Sequence, residues 1–174
     1  MITNFAIELI KHYEQLHDGD LSKIGLQPKL CPAGIWTVGY GHALTDEKGR
    51  FLKVNDKAYA YSLYPSLTEE KAEALLHEDL RPAEAAIRAI TQNKLNENQL
   101  GACVSLAYNI GKTAFMSSSV LRNINAGKMQ EAANCFLLWN KATVDGVKKE
   151  LKGLTYRRKS ERDLFLLGQL NFYN

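Results

Sequence analysis

The spacing of apolar residues at the start of the chain predicts an amphipathic helix. Its apolar positions recur at intervals of three and four residues: Phe5, Leu9, Tyr13 and Leu16. Such intervals place side chains on one face of an α-helix. Thr3 or Asn4 is suited to cap the first amides, and the periodicity carries the helix to about His17.

The next stretch, residues 18–66, has no helical periodicity. Glycine and proline interrupt it repeatedly, at Gly19, Gly25, Pro28, Pro32, Gly34, Gly39, Gly41 and Gly49. Within it, residues 35–38 read Ile-Trp-Thr-Val, the β-branched and aromatic composition that strands favour. We interpret this stretch as a small, twisted hairpin region.

Helical periodicity returns at Thr68 and predicts a long helix. Glu69 and Glu70 stand in its first turn, where negative charge stabilises the helix dipole. Pro82 leaves two alternatives open, because a proline either kinks a helix or occupies the first turn of a new one.

Three more helices and a closing one follow. Asn96 and Gln99 resemble a capping box for a mostly apolar helix, with Gly111 as its C-cap. The serines at 117–119 cap a short helix that closes at Gly127, and another helix covers 131–139. A polar loop at 140–153 precedes the last helix.

The order of these elements predicts a mainly helical α+β fold in one domain, residues 1–174. With 174 residues and 45% hydrophobic content, the chain is long enough to bury one sizeable core. We expect a small β-rich lobe at about 18–66 and a helical lobe at 67–174 that includes the N-terminal helix. A cleft between such lobes is the natural place for a ligand.

Composition excludes several classes of protein. The net charge of +3 suits an anionic partner, but no run of basic residues exceeds 157–159 and no aromatic-basic alternation marks a nucleic-acid platform. Three cysteines without a CxxC pair indicate neither a disulfide framework nor a zinc ribbon. The first 15 residues resemble neither a secretory signal nor a membrane anchor, so we expect synthesis in the cytoplasm with reduced thiols.

Glu14 is the candidate acid. At 100° per residue it falls between Ile7 and Ile10, at the margin of the apolar arc of the first helix. Its carboxyl should therefore face inward, and partial burial disfavours the charged form, as a general acid near neutral pH requires. The alternative is a structural carboxylate that pairs with an arginine at a buried helix end.

The segment from Leu30 to His42 holds the second group of candidates. On a strand, Thr37, Gly39 and Gly41 would alternate onto one face and leave a hydroxyl above a surface without side chains. Such a surface would admit a substrate close to the backbone. The alternative is that the two glycines serve a bulge and a turn.

In these and later segments the chain resembles the phage-type lysozymes, glycoside hydrolase family 24, which includes the endolysins. The matching segments are 9–14, 31–42 with its Thr-Val-Gly-Tyr-Gly-His core, 98–111, 121–127, 136–141 and 153–161. They cover nearly the whole chain in the family's order, so the resemblance is highly specific. It implies a lysozyme-like fold.

The resemblance implies a catalytic set of Glu, Asp or Cys, and Thr, which maps onto Glu14, Cys31 and Thr37. Glu14 would be the acid, Cys31 would stand at the second carboxylate's position, and Thr37 would hold the attacking water. Residues 17–29 look like an insertion relative to the family pattern. Its Asp18 and Asp20 are alternative sources of the missing carboxylate.

Other positions acquire roles from the same resemblance. His42 would form a structural ion pair with Asp79, although a lone histidine after a strand is more often a surface residue. Arg157 or Arg158 would pair with Glu14, the alternative for both being a solvated basic face.

The implied activity is hydrolysis of the β-1,4 bond between N-acetylmuramic acid and N-acetylglucosamine in peptidoglycan, with no metal or cofactor. Tyr108 and Asn109 match positions that line the family's substrate cleft, although Tyr108 also suits a core. We expect a monomer without stable membrane insertion that reaches the cell wall after release, with a holin as an indirect partner. A lytic transglycosylase and a catalytically silent wall-binding protein are the alternatives.

Overall fold

The computed structural model describes residues 2–144 and 146–174, which form a mainly helical fold with two small antiparallel sheets. The helices are α1 (Asn4–Glu14), α2 (Lys57–Leu63), α3 (Glu69–Ile90), α4 (Glu97–Ile110), α5 (Lys112–Met116), α6 (Ser119–Asn125), α7 (Met129–Phe136) and α8 (Lys152–Leu167). The strands are β1 (Lys29–Leu30), β2 (Trp36–Val38), β3 (His42–Ala43), β4 (Lys141–Val144) and β5 (Val147–Glu150). The predicted α+β, mainly helical class is confirmed.

The chain divides into two compact units. The small unit comprises Glu14–Asp79 and contains the sheet β1-β2-β3, helix α2 and the first half of α3. The helical unit comprises the chain up to Tyr13 together with Leu80–Asn174.

Helix α4 forms the centre of the helical unit. Its residues from Leu100 to Ala107 are all buried, as its apolar sequence predicted. Asn96 accepts a hydrogen bond from the Gln99 backbone at 2.9 Å and the Gln99 side chain accepts one from the Asn96 backbone at 3.0 Å, so the capping box is confirmed. Gly111 caps the other end with φ of +90°, a conformation that favours glycine.

The structure decides one question about helix α3 that the sequence left open and corrects the predicted end of helix α1. Helix α3 continues through Pro82, so this proline neither ends the helix nor begins a new one. Helix α1 ends at Glu14 rather than near His17. The reason is Gln15, whose φ of +58° lies in the left-handed region and cannot extend a right-handed helix.

The stretch expected as a polar loop, residues 140–153, is instead a hairpin of β4 and β5 followed directly by α8. Val144 pairs with Val147, and Gly146 between them has φ of +76°. Helix α5 was not predicted, and neither was α2, which lies inside the stretch expected to be β-rich. The helix predicted after the serines is α6, where Ser118 accepts a hydrogen bond from the backbone of Leu121 at 3.1 Å.

The sheet of the small unit has β2 at its centre, with antiparallel partners on both sides. All three residues of β2 are buried. The indole of Trp36 donates to the carbonyl of Lys53 at 2.9 Å, which ties this strand to the segment leading into α2. Because β2 is paired on both sides, the backbone of its middle residue, Thr37, is held in a defined orientation.

Candidate active site

Thr37 lies in the middle of the small unit's sheet and is only 6% exposed. It pairs with Lys29 on β1 and with Ala43 on β3. Its hydroxyl donates to the Lys29 carbonyl at 3.1 Å. The side chain therefore has little rotational freedom.

Cys31 lies on the same face of the sheet as Thr37. The pairing of Lys29 with Thr37 and of Leu30 with Trp36 continues where Cys31 donates its backbone N–H to Ile35 at 2.9 Å. Residues opposite each other in an antiparallel pair point to the same side, and diagonal neighbours such as Cys31 and Thr37 lie roughly 7–8 Å apart. The thiol is free and half-buried.

Gly39 does not provide the bare surface that strand alternation predicted, so that expectation is wrong. β2 ends at Val38, and Gly39 has φ of +61°. A Cβ at this position would lie 2.9 Å from the Cβ of Ala72 and 3.6 Å from Leu67. The missing side chain therefore lets helix α3 approach the sheet.

Glu14 is half-buried at the end of α1, and the chain after it is fixed to the sheet. Three residues later, the backbone N–H of His17 donates to the carbonyl of Gly39 at 2.8 Å, and the two residues form an antiparallel bridge. The acid candidate thus belongs to the same compact unit as Thr37 and Cys31.

His17 is a site residue that sequence reasoning missed. Its ring nitrogen Nδ1 lies 3.2 Å from the Thr37 hydroxyl oxygen. No local sequence pattern indicates this contact, because it joins residues that are 20 positions apart across the insertion.

The two aspartates of the insertion bind the backbone of their own loop. The Asp18 carboxylate accepts from the N–H groups of Asp20 at 3.0 Å and Gln27 at 3.2 Å. Asp20 accepts from the side chain and the backbone of Ser22, and these hydrogen bonds lower the pKa of its carboxyl below the usual value. Both carboxylates thus stabilise turns of the loop.

His42 and Asp79 are in contact. The His42 Nδ1 atom lies 3.0 Å from each carboxylate oxygen of Asp79, and both side chains are about a quarter exposed. The ring of Tyr64 packs edge-on against the imidazole, with 6.3 Å between centroids. Burial raises the pKa of the Tyr64 hydroxyl, and the charges of Asp79 and Glu78 add to this effect.

Arg157 and Arg158 lie in the interior of the helical unit, so the alternative of a solvated basic face is wrong for both. Arg157 is 3% exposed and donates to Glu161 at 3.2 Å and to the Ser105 carbonyl at 3.3 Å. Arg158 donates to the same carboxylate at 2.8 Å. A buried carboxylate with two arginines is well compensated. The pairing of either arginine with Glu14 stays a prediction.

Tyr108 and Asn109 lie near the end of α4, where Tyr108 is half-buried and Asn109 is exposed. Their role in substrate binding stays a prediction. Within residues 2–144 and 146–174, no three His, Cys, Asp or Glu side chains are grouped so that they would hold a metal ion. In the same residues, no helix combines the length and apolarity needed to cross a membrane.

Comparison with known proteins identifies the family. The phage lysozyme family model matches residues 22–161. An endolysin of Acyrthosiphon pisum secondary endosymbiont phage 1 is 36% identical over 94% of this chain and 97% of its own length.

Solved structures agree with the sequence match. The muramidase domain of SpmX from Asticaccaulis excentricus has a TM-score of 0.75 at 35% identity and covers 95% of this chain and 97% of its own. The endolysin from Escherichia coli O157:H7 phage FAHEc1 has a TM-score of 0.77 at 30% identity, with coverages of 98% and 96%. The predicted resemblance and lysozyme-like fold are confirmed: the chain belongs to the phage lysozyme family and is a peptidoglycan-cleaving enzyme.

Proposed function

We propose that this enzyme is a muramidase that hydrolyses the β-1,4 bond between N-acetylmuramic acid and N-acetylglucosamine, and that the whole chain acts as one catalytic domain. Glu14 is the general acid, Thr37 holds the attacking water, and Cys31 stands beside them. The observation that carries the proposal is that one compact unit combines the half-buried Glu14 with Thr37 on the central strand and with Cys31, which directly follows the neighbouring strand. The name of the SpmX muramidase domain is consistent with this bond.

The proposed chemistry is proton donation to the leaving oxygen and attack by water. A glycosidic oxygen leaves readily only after protonation, and Glu14 supplies that proton to the N-acetylglucosamine oxygen. The bond between the anomeric carbon of the muramic acid residue and that oxygen breaks as the water on Thr37 adds to the carbon, the water's proton passes to solvent, and Glu14 regains a proton from solvent. A reducing muramic acid end results. This route uses no metal or organic cofactor.

The biological setting belongs to the proposal as well. The enzyme works as a monomer on peptidoglycan, is made in the cytoplasm of the infected cell and reaches the wall after a holin opens the membrane. Tyr108 and Asn109 contribute to substrate binding.

The decisive test is digestion of purified peptidoglycan by the wild type and by Glu14→Gln, with mass analysis of the fragments. We expect the wild type to release reducing muramic acid ends and Glu14→Gln to release almost none, because the amide has no proton to donate. Glu8→Gln is the matched control, since Glu8 lies exposed on the polar face of the same helix. Lysis by Glu14→Gln would show that another group is the acid.

A lytic transglycosylase is the second candidate, and the loop carboxylates favour it. Asp18 and Asp20 bind the backbone of their own loop, and the free thiol of Cys31 stands at the position that the family resemblance gives to the second catalytic group. A transglycosylase needs a single acid and no water base. Fragments that end in 1,6-anhydromuramic acid would establish this activity.

A further inference from the structure

The hydrogen-bond partners of Thr37 determine which atom carries the proton in its contact with His17. A threonine hydroxyl has one hydrogen, and the carbonyl of Lys29 can only accept, so that hydrogen points to Lys29 at 3.1 Å. At the 3.2 Å contact with the His17 ring, Nδ1 must therefore be the donor. The geometry therefore places a ring hydrogen on Nδ1.

In this arrangement, Thr37 can bind a water molecule only as a hydrogen-bond acceptor. Its hydrogen is directed to Lys29 and one lone pair accepts from His17, so the remaining lone pair can only accept from a third partner. A water that donates one hydrogen to Thr37 keeps its own lone pairs available for the anomeric carbon. The orientation of the nucleophile is thereby fixed before the substrate reacts.

The insertion explains how His17 reaches this position. In an uninterrupted antiparallel strand, the partners of Gly39 and Thr37 would be two residues apart. Here they are His17 and Lys29, which are 12 residues apart in the sequence. The segment between His17 and Lys29 forms a loop outside the strand pairing. The two residues at its ends both contact the Thr37 hydroxyl, His17 through its imidazole and Lys29 through its carbonyl.

We propose that His17 is a positioning residue of this enzyme, which holds the Thr37 hydroxyl through its Nδ1–H so that Thr37 accepts from the attacking water. This inference rests on the proposed function, in which Thr37 binds that water. The imidazole ring is itself anchored, because the backbone of His17 donates to Gly39 at 2.8 Å. It acts on the reaction through Thr37.

Two amide substitutions separate this role from others. Asparagine can place an N–H where Nδ1 now lies, whereas the longer glutamine reaches the region of Nε2. We expect His17→Asn to keep kcat within about threefold of the wild type, and His17→Gln and His17→Ala to lower kcat about tenfold, the size of one hydrogen bond. The KM for soluble glycan strands should not change in any of them.

A double variant tests whether His17 acts through Thr37. If it does, adding His17→Ala to Thr37→Val should cause no loss beyond that of Thr37→Val alone, because the two side chains then form one unit. The matched control is His77→Ala, which removes an exposed histidine of helix α3 and should leave kcat unchanged. Melting curves and circular dichroism confirm that each variant is folded.

Several outcomes would overturn the inference. Wild-type kcat in His17→Ala and His17→Gln, with Glu14→Gln inactive, would remove His17 from the mechanism and leave the proposed function intact. A His17→Asn variant as slow as His17→Ala would point to proton transfer by the imidazole instead. Full activity in Glu14→Gln would overturn the proposed function and this inference with it.

Discussion

The loop at 18–28 and the hairpin at 141–150 both connect larger elements of the fold, but different interactions stabilise them. The hairpin is a regular ladder of four residue pairs, yet every residue of β5 is exposed, with Val147 at 54%. The loop has almost no regular structure, but the Gln27 side chain inside it is only 1% exposed.

Hydrogen bonds of the loop backbone and of the Gln27 side chain explain the difference. The Gln27 amide donates to the Pro65 carbonyl at 2.7 Å, and Leu26 and Leu67 exchange backbone hydrogen bonds at 2.8 and 3.0 Å. Gly19 donates to the Gln27 carbonyl at 3.0 Å, which closes the loop on itself. Regular secondary structure is thus a poor guide to local stability here, because the loop buries a side chain and forms hydrogen bonds to residues 65 and 67, whereas β5 buries none of its residues.

Gly19→Ala has the largest expected effect. The new Cβ would overlap the carbonyl oxygen of Pro28 and lie 3.3 Å from the Cα of Lys29, so the backbone has to move. We expect a loss of about 2–3 kcal/mol in the free energy of unfolding and lower activity, since Lys29 binds the Thr37 hydroxyl. Chemical denaturation and lysis rates measure the two effects.

The control for this substitution is Gly153→Ala at the start of α8. A Cβ there meets no atom within 4 Å, and alanine favours a helix, so stability should stay the same or rise by up to about 1 kcal/mol. Equal stability of Gly19→Ala and the wild type would mean that the loop accommodates the side chain without strain.

Gln27→Ala should have an intermediate effect. It removes the hydrogen bond to the carbonyl of the exposed Pro65, and one intramolecular hydrogen bond contributes about 0.5–1.5 kcal/mol to the free energy of unfolding. Denaturation in urea should show a lower midpoint with an unchanged slope. The exposed Gln130 of α7 provides the control, because Gln130→Ala should leave the midpoint where it is. A Gln27→Ala midpoint equal to that of Gln130→Ala would show that the loop does not depend on this side chain.

Gly146→Ala should have the smallest effect on global stability. At φ of +76° a Cβ costs about 1–2 kcal/mol, but the strain falls on a hairpin whose opening does not uncover the core. Hydrogen exchange should become faster in residues 141–150, while the melting temperature changes little. A fall in melting temperature as large as that of Gln27→Ala would mean that the hairpin is coupled to the core.

The features predicted from the sequence are those whose cause is local. The capping box at Asn96 and Gln99 and the C-cap at Gly111 depend on residues a few positions apart, so the sequence contains the whole interaction. The β4–β5 hairpin was missed because its strands bury little and show no apolar pattern. An Asp-Gly dipeptide at 145–146 is a hairpin signal that would have found it.

The same distinction between local and long-range causes applies to the candidate site. The half-burial of Glu14 agrees with its predicted place at the margin of the apolar arc of α1, because helical periodicity is a local property. The contact of His17 with Thr37 depends on where the loop ends rejoin the ladder, and no pattern in the sequence specifies that. The role of Gly39 was predicted wrongly because the residue it packs against, Ala72, is far from it in the sequence and lies on helix α3.

The left-handed backbone of Gln15 has a consequence for engineering. Among residues 2–144 and 146–174 it is the sole side-chain-bearing residue with positive φ, and this conformation costs an ordinary L-residue free energy that glycine or asparagine largely avoids. Exchanging Gln15 for either is therefore a rational first step toward a heat-tolerant variant, because the change adds no atoms and alters none of the groups assigned to the chemistry.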